Sequence, residues 1–214
     1  MTSILLTGFE PFDGETINPS WQAVLRAQAV CDGPELLHIA EIPVDFDTCD
    51  LALAEALERF APDLVIAVGQ AGGRAGISVE RVAINVDDAR IPDNAGFQPV
   101  DLAIVPDGPA AYFSTLPIKA CVAALAEAGI PASVSQTAGT YTCNHLFYRL
   151  MHGLHTERPD ARGGFVHIPF APEQVAGRDQ PSMSGELVTA ALLAIVRTSL
   201  DVTADIRVAG GALH

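Results

Sequence analysis

Apolar runs alternate with amphipathic segments along most of the chain. Short runs rich in β-branched and other apolar residues predict strands at 3–7, 36–42, 63–69, 77–85, 132–137 and 163–168. The run at 63–69 is almost continuously apolar, which is typical of a central parallel strand covered by helices on both faces. The alternation predicts one α/β domain over residues 1–214, a single-domain α/β/α sandwich with a twisted, mostly parallel sheet.

Helices are predicted by apolar positions that lie three and four residues apart. Asn18 is a good N-cap and Pro19 suits the first helical position, so the first helix should run from 19 to about 30. The same periodicity predicts further helices near 47–60, from 118 to Gly129, near 143–154 and near 184–199. Three segments break the alternation, namely 8–18, 86–114 and 171–181. Loops of this length in a compact domain are often functional.

Composition excludes several classes of partner. The 214 residues are 49% apolar, and 12 basic against 26 acidic side chains give a formal net charge of −14. Lys119 is the only lysine and the arginines are scattered, so neither nucleic acid nor an anionic membrane is an expected partner. Every apolar stretch is shorter than the roughly 20 residues of a membrane span. The first strand, 3–7, is too short for a signal peptide core, so we expect a cytoplasmic protein whose four cysteines are free thiols.

Cys143 has different surroundings from the other three cysteines. It follows the predicted strand 132–137 through a short turn and opens the next predicted helix. A helix N-terminus favours thiolate because its free N–H groups and dipole lower the pKa of a thiol, and the same N–H groups can hold an oxyanion. A nucleophile and a buried packing residue both fit this position. The remaining cysteines are interpreted as packing residues: Cys31, Cys49 and Cys121.

A nucleophilic thiol needs a histidine as base and proton donor. His167 ends the apolar strand 163–168, and a parallel crossover would bring it to the carboxyl edge of the sheet, where Cys143 opens its helix. Three more histidines lie on one predicted helix, namely His145, His152 and His155. The last two have the i, i+3 spacing of a pair of metal ligands. Without a third ligand nearby, a solvated helix face is the favoured interpretation, and neither metal nor cofactor is expected.

The histidine should be oriented by a carboxylate. Glu80 lies within the apolar run 77–85, where a charge is costly unless it is paired or points outward. Strand periodicity is compatible with a Glu80 side chain that is paired inside the protein and with one that points outward. From periodicity alone, Glu80, Asp87 and Asp88 remain alternatives.

Six sequence blocks follow one another in order. They are Gly8-Phe9-Glu10-Pro11-Phe12 with Asn18-Pro19-Ser20, Gly69-Gln70-Ala71-Gly72-Gly73-Arg74, Glu80-Arg81-Val82-Ala83-Ile84-Asn85, Ala138-Gly139-Thr140-Tyr141-Thr142-Cys143-Asn144, Val166-His167-Ile168-Pro169 and Pro181-Ser182-Met183-Ser184. Their order, from residue 4 to about residue 196, resembles the motif series of the pyroglutamyl peptidase family, also called pyrrolidone-carboxyl peptidases. The resemblance implies a cysteine peptidase that removes an N-terminal pyroglutamyl residue from peptides through a thioester acyl-enzyme. It implies Cys143 as nucleophile, His167 as acid and base, and Glu80 as the orienting carboxylate.

The resemblance also implies a substrate pocket and an assembly. Phe9 and Phe12 would flank the lactam ring, Gln70 would lie at the pocket, and Asn18 would brace the loop beside it. Arg90 would assist the oxyanion site, and Tyr141 stands where Phe is common in the family. Other interpretations of these residues remain open, namely core packing for the two phenylalanines, a helix cap for the asparagine and a surface charge for the arginine. Relatives are often homotetramers, so a homo-oligomer is expected.

Two other functions fit some of the same residues. A Cys-His-Glu set in an α/β fold also suits a glutamine-type amidotransferase, which normally works with a synthase partner. A nucleoside-binding or phosphorolytic α/β protein would use the turn Gly72-Gly73-Arg74 to hold phosphate. Sensitivity to thiol alkylation without a phosphate requirement distinguishes the peptidase from the second rival.

Overall fold

Helices and strands alternate in the order that the apolar pattern predicts. The computed structural model describes residues 2–33 and 35–212. In those residues the helices are α1 Pro19–Val30, α2 Thr48–Phe60, α3 Ile118–Glu127, α4 Thr142–Glu157 and α5 Gly185–Asp201. The strands are β1 Ser3–Phe9, β2 Leu36–Ile42, β3 Leu64–Gln70, β4 Ile77–Glu80, β5 Val82–Ile84, β6 Ala111–Phe113, β7 Ala132–Ser135 and β8 Arg162–Ile168.

Six strands form the main sheet, in the order β2-β1-β3-β8-β4-β7. Strands β2, β1, β3 and β8 are mutually parallel, whereas β4 is antiparallel to β8 and parallel to β7. Helices α1, α3 and α5 pack together on one face, and α2 and α4 pack together on the other. The predicted α/β/α sandwich with a mostly parallel sheet is therefore confirmed.

The central strand β3 supplies both halves of the core. Leu64, Ile66 and Val68 join the cluster beneath α1, α3 and α5, whereas Val65 and Ala67 join the cluster beneath α2 and α4. Successive strand residues point to opposite faces, so a strand covered on both faces has to be apolar throughout. In the described parts of the chain, no helix combines the length and the hydropathy needed to cross a membrane.

The predicted strand 77–85 is wrong as a single element. It breaks at Arg81 into β4, which stays in the main sheet, and β5, which pairs with β6 in a separate two-stranded sheet. The Arg81 N–H donates to Ser135 O at 2.9 Å, whereas its carbonyl accepts from the Ser114 N–H at 2.9 Å. The chain thus changes partners at this residue. The predicted loop 86–114 accordingly contains a short strand, β6.

Gly8 lies where β1 meets the start of α1. A Cβ at this position would lie 2.6 Å from the Trp21 Cα, which belongs to the helix backbone. We expect Gly8→Ala to lower the free energy of unfolding by about 1–3 kcal/mol, because the helix has to move. Gly153 in α4 is a matched control with open space around it, and Gly153→Ala should stabilise the helix by about 0.5–1 kcal/mol. Urea unfolding of both variants measures the difference, and equal stability of the two would contradict this packing.

Candidate active site

A cavity of about 260 Å³ lies between the loop after β1, the carboxyl end of β3 and the start of α4. Seven of the nine site residues predicted from the sequence line it: Phe9, Phe12, Asn18, Gln70, Tyr141, Cys143 and His167. Two do not line it. Glu80 lies behind His167, and Arg90 is an exposed loop residue.

Cys143 is the second residue of α4, as the sequence predicts for a helix-opening thiol. The first N–H groups of a helix have no intrahelical acceptor, so the Cys143 backbone N–H belongs to a group of free donors. Gly69 on β3 leaves room for the thiol, because a Cβ there would lie 2.8 Å from the Cys143 Sγ. Gly69 pairs in register with His167, so the imidazole lies on the same face of the sheet as the thiol.

Glu80 lies behind the cavity and links two residues of its wall, His167 and Arg74. The His167 Nδ1 donates to Glu80 Oε1 at 2.8 Å, and Arg74 Nη1 donates to the same oxygen at 2.7 Å. Glu80 is 0% exposed and His167 is 3% exposed. Because Nδ1 carries the proton that the carboxylate accepts, Nε2 is the nitrogen left to exchange a proton at the cavity. The alternatives Asp87 and Asp88 make no such contact with His167.

Burial controls the protonation of the thiol and the imidazole. Desolvation raises the pKa of Cys143 to about 12, with the Glu80 charge acting in the same direction and the Arg74 charge opposing it. Desolvation also lowers the pKa of His167 below its usual range, although the hydrogen bond to Glu80 pulls it back. The predicted lowering of the Cys143 pKa is therefore wrong, because desolvation raises it. At neutral pH both groups are uncharged.

The path of the chain between Cys143 and His167 differs from the predicted one. Strand β7, which precedes α4, runs opposite to β8 and lies at the far edge of the sheet. A parallel crossover between the strand before Cys143 and the strand of His167 is therefore wrong. Residues 137–139 instead return from the sheet edge to the cavity, which they help to line. The two side chains meet because this segment crosses back.

Aromatic rings form one end of the cavity. Phe12 and Tyr141 lie with their ring centroids 6.3 Å apart, and Phe9 packs against Phe165 at 6.4 Å. Phe9 is 2% exposed and belongs to the core as well as the cavity wall. The Tyr141 hydroxyl donates to the Pro92 carbonyl at 3.0 Å, so it holds a neighbouring loop and does not point into the cavity.

Two amide side chains are fixed at the edges of the cavity. Asn18 accepts from the Ser20 N–H at 3.0 Å as the N-cap of α1, and its Nδ2 donates to the Glu10 carbonyl at 2.9 Å. It is therefore both a cap and a brace for the loop 8–18. The Gln70 Oε1 accepts from Gln174 Nε2 at 3.1 Å, which leaves the Gln70 amide N–H groups as donors. Gln174 lies in a short 3₁₀ helix within the predicted loop 171–181.

A second group of thiol, imidazole and carboxylates lies away from the cavity. His145 donates from Nδ1 to Asp87 Oδ2 at 2.7 Å and from Nε2 to Asp50 Oδ1 at 3.2 Å. Cys49, Asp50 and His145 offer ligand atoms within 4.8 Å of one another. Cys49 is 0% exposed and does not line the cavity. Among the described residues, the cavity that Cys143 and His167 line includes neither Cys49 nor His145.

His145 is a residue whose environment the sequence pattern does not reveal. A solvated helix face is wrong for it, since it is 6% exposed. Burial alone would lower the pKa of His145, but its hydrogen bonds to Asp50 and Asp87 outweigh that effect and raise the pKa to about 11. The imidazolium ties α4 to α2 and to the loop after β5. His152 is half-buried and shares a 2.9 Å hydrogen bond with the Tyr112 hydroxyl.

Arg74 was also missed as a site residue. The sequence offered one indication, an arginine that directly follows two glycines after the central strand. Besides Glu80 it contacts the Thr137 carbonyl, which accepts from Nη2 at 3.2 Å. Its positive charge is therefore paired with a buried carboxylate, and its guanidinium also holds the turn that leads to Cys143.

A thiol and an imidazole meet at one cavity of an α/β sandwich, with a buried carboxylate behind the imidazole. This combination defines the class of the protein, a cysteine hydrolase.

Known proteins match the chain over its whole length. The family described as pyroglutamyl peptidase matches residues 2–201, so the chain belongs to the pyroglutamyl peptidase family. It is 58% identical to a pyrrolidone-carboxylate peptidase of Clavibacter michiganensis subsp. michiganensis over 213 residues, covering 100% of both chains. A pyrrolidone-carboxylate peptidase of Escherichia fergusonii is 54% identical over 215 residues, again with 100% of both chains covered.

Solved structures of the same family share the fold. Pyroglutamyl peptidase I of Bacillus amyloliquefaciens superposes with a TM-score of 0.95 at 48% identity, covering 98% of this chain and 100% of that chain. A variant pyrrolidone carboxyl peptidase of Pyrococcus furiosus gives a TM-score of 0.89 at 41% identity, covering 92% of this chain and 98% of that chain. Members of this family remove N-terminal pyroglutamate.

The His145 ion pairs should make stability depend on pH. The folded pKa of about 11 lies above the ordinary value of 6.5, so this contribution is complete below pH 6.5 and is lost as the pH rises toward 11. We expect stability to fall between pH 7 and 9 by up to about 1.4 kcal/mol per pH unit, and His145→Gln should remove that slope. Urea unfolding at pH 7, 8 and 9 measures it, with His152→Gln as the control that keeps the slope. Equal slopes in all three proteins would refute the charged imidazolium.

Proposed function

We propose that the chain cleaves the bond after an N-terminal pyroglutamyl residue of peptides, with Cys143 as nucleophile, His167 as acid and base, and Glu80 as the orienting carboxylate. The observation that carries the proposal is the single cavity at which this thiol and imidazole meet, with the carboxylate 2.8 Å behind the imidazole. The substrates are pyroglutamyl peptides, and no step requires a cofactor or a metal.

The shape and polarity of the cavity suit a pyroglutamyl ring. The ring is small, flat and uncharged because its amine is part of the lactam, so it needs apolar walls and a few amide partners. Phe9, Phe12 and Tyr141 supply the walls, and the Gln70 amide supplies donors for the lactam carbonyl. Asn18 holds the loop that carries Phe12. No charged carboxylate lines the described cavity, which disfavours a free N-terminal ammonium.

Acylation begins with proton transfer from the Cys143 thiol to His167 Nε2. The sulfur attacks the pyroglutamyl carbonyl carbon, and the Cys143 backbone N–H stabilises the developing oxyanion. The C–N bond then breaks, His167 returns the proton to the leaving amine, and a thioester remains. Glu80 accepts from Nδ1 throughout and stabilises the imidazolium that forms in between. Arg90 remains a prediction from the family resemblance, without a contact at the cavity to support it.

Deacylation uses the same groups in reverse. His167 Nε2 takes a proton from water, and the hydroxyl oxygen attacks the thioester carbonyl. The C–S bond breaks, the sulfur regains the proton from Nε2, and free pyroglutamate leaves. Uncharged resting groups suit this cycle, because the imidazolium and the oxyanion develop together inside a buried site.

The rival functions have less support. A phosphate-binding turn needs a free guanidinium, but Arg74 is paired with buried Glu80 at 2.7 Å. A glutamine amidotransferase has to hold the free α-ammonium and α-carboxylate of glutamine, and the aromatic end of this cavity offers no charge for them.

We propose further that the enzyme works in the cytoplasm as a homo-oligomer, a tetramer by family resemblance. Four free cysteines suit a reducing compartment. Large exposed apolar side chains, among them Phe113, Val100 and Leu51, offer surface for assembly.

Replacing the nucleophile tests the proposed function directly. Cys143→Ala and Cys143→Ser should abolish hydrolysis of pyroglutamyl 4-nitroanilide, because no sulfur remains to form the thioester, while the circular dichroism spectrum stays unchanged. Cys31 is a partly exposed thiol outside the cavity, so Cys31→Ala is a control that stays active. Iodoacetamide should inactivate the wild-type enzyme and Cys31→Ala alike, with modified Cys143 in the tryptic digest of both. Full activity in a folded Cys143 variant would overturn the proposal.

Glu80→Gln tests the role of the carboxylate. Glutamine can still accept the hydrogen bond from His167 Nδ1, but it offers no charge to the imidazolium. We expect kcat to fall at least about tenfold with little change in KM, because the lost interaction is stronger in the transition state. Asp88→Asn changes an exposed carboxylate beside the site and should be neutral. If Asp87→Asn lowered kcat while Glu80→Gln did not, the orienting carboxylate would have to be reassigned.

A further inference from the structure

The outer edge of β7 is unpaired in the described residues. On its inner side, the Pro131 and Ser135 carbonyls accept from the backbone N–H groups of Ile77 and Arg81, both at 2.9 Å. Backbone groups alternate in direction along a strand, so Ala132, Val134 and Gln136 turn theirs outward. No described strand lies beyond them, since β7 ends the sheet order. Unpaired edges accept extended chains as additional strands.

A groove of about 620 Å³ follows this edge. Its sides are formed by the turn Arg74–Gly76 and by Ala212 of the C-terminal segment. Beside the groove, this segment, residues 202–212, is held by the Gly210 carbonyl, which accepts from Arg81 Nη2 at 3.0 Å and from Gln136 Nε2 at 3.3 Å. It makes no described backbone hydrogen bond to β7. Within residues 35–212, the segment therefore borders the edge and leaves the strand itself open.

The groove is continuous with the cavity of Cys143. Arg74 and Thr137 line both of them. The aromatic pair Phe12 and Tyr141 marks the other end of the cavity. At about 260 Å³ the cavity lies below the range typical of drug-sized ligands, so it holds one small residue. The rest of a peptide must leave past Arg74 and Thr137.

We propose that the peptide segment after the pyroglutamyl residue binds along β7 as an added antiparallel strand. This inference rests on the proposed function. A peptide held by its first residue at Cys143 starts near the carboxyl end of β7 and runs toward Pro131, which is the antiparallel direction. Strand addition gives affinity through main-chain hydrogen bonds, whereas side-chain pockets would give selectivity.

The chemistry of the groove indicates broad tolerance for the peptide sequence. Among the described residues, Arg74 is the only charged side chain that lines it, and its charge is already paired with Glu80. The remaining lining consists of small or uncharged residues. Binding through the backbone therefore accepts most side chains but requires peptide N–H groups, so proline and N-methylated residues should be disfavoured at alternate positions.

Substrate length tests the proposal. The series pyroglutamyl-Ala-amide, pyroglutamyl-Ala-Ala-amide and pyroglutamyl-Ala-Ala-Ala-Ala-amide keeps the scissile bond constant. We expect kcat/KM to rise about tenfold from the shortest to the longest peptide, as two or three added hydrogen bonds would give. N-methylation of single backbone nitrogens in the longest peptide should cancel the gain at alternate positions only.

A matched pair of variants tests whether the peptide binds in this groove. Ser133 is an exposed residue of β7 that lines it and takes no part in the catalytic chemistry. Ser133→Trp should remove the length-dependent gain while the shortest amide is cleaved at the wild-type rate, and Ser133→Ala should keep the gain.

Failure of this inference is distinguishable from failure of the proposed function. Cleavage of the shortest amide with no gain from length, or a gain lost equally at every methylated position, would refute strand addition alone. No cleavage of any pyroglutamyl amide would refute the proposed function, and with it the inference. The methylation series needs no variant, so the test stands even if Ser133→Trp does not fold.

Discussion

The pairing of one buried carboxylate organises the site. Glu80 is 0% exposed, and a carboxylate removed from water is costly unless it is paired. Its two partners come from different parts of the chain, Arg74 from the turn after β3 and His167 from the end of β8. Satisfying the charge therefore fixes the turn, the antiparallel strand β4 and the imidazole in one arrangement. The same arrangement leaves His167 Nε2 as the nitrogen available for proton transfer.

The two buried histidines on this side of the sheet have pKa values shifted in opposite directions. His167 has one carboxylate and a neighbouring guanidinium, so desolvation prevails and lowers its pKa. His145 has two carboxylates, and they prevail over desolvation and raise its pKa to about 11. At neutral pH the first imidazole is thus uncharged, and the second is a cation that holds the helix of Cys143. The number of carboxylates within hydrogen-bond distance decides which role each imidazole takes.

Local patterns in the sequence predicted the parts of the fold that local physics controls. Helix ends followed from Asn18, Pro19 and Gly129, and the central position of β3 followed from its unbroken apolar run. The direction of β7 could not be predicted in this way, because a four-residue strand has the same pattern in either orientation. The split at Arg81 and the burial of His145 depend on partners such as Ser135 and Asp87, which are distant in sequence. For the candidate site, spacing drew attention to Cys143 and His167, but the choice of Glu80 over its neighbours needed the family resemblance.

The antiparallel pair at the end of the sheet connects the fold to substrate selection. If β7 ran parallel to β8, its carboxyl end would point the same way as that of β8, and the chain would enter α4 without crossing the sheet. Because it runs the other way, the crossing segment 137–139 forms one wall of the cavity and joins it to an open strand edge. A small closed cavity recognises one residue, whereas an open edge recognises only an extended backbone. The proposed binding mode thus combines strict selection of the first residue with little selection of those that follow.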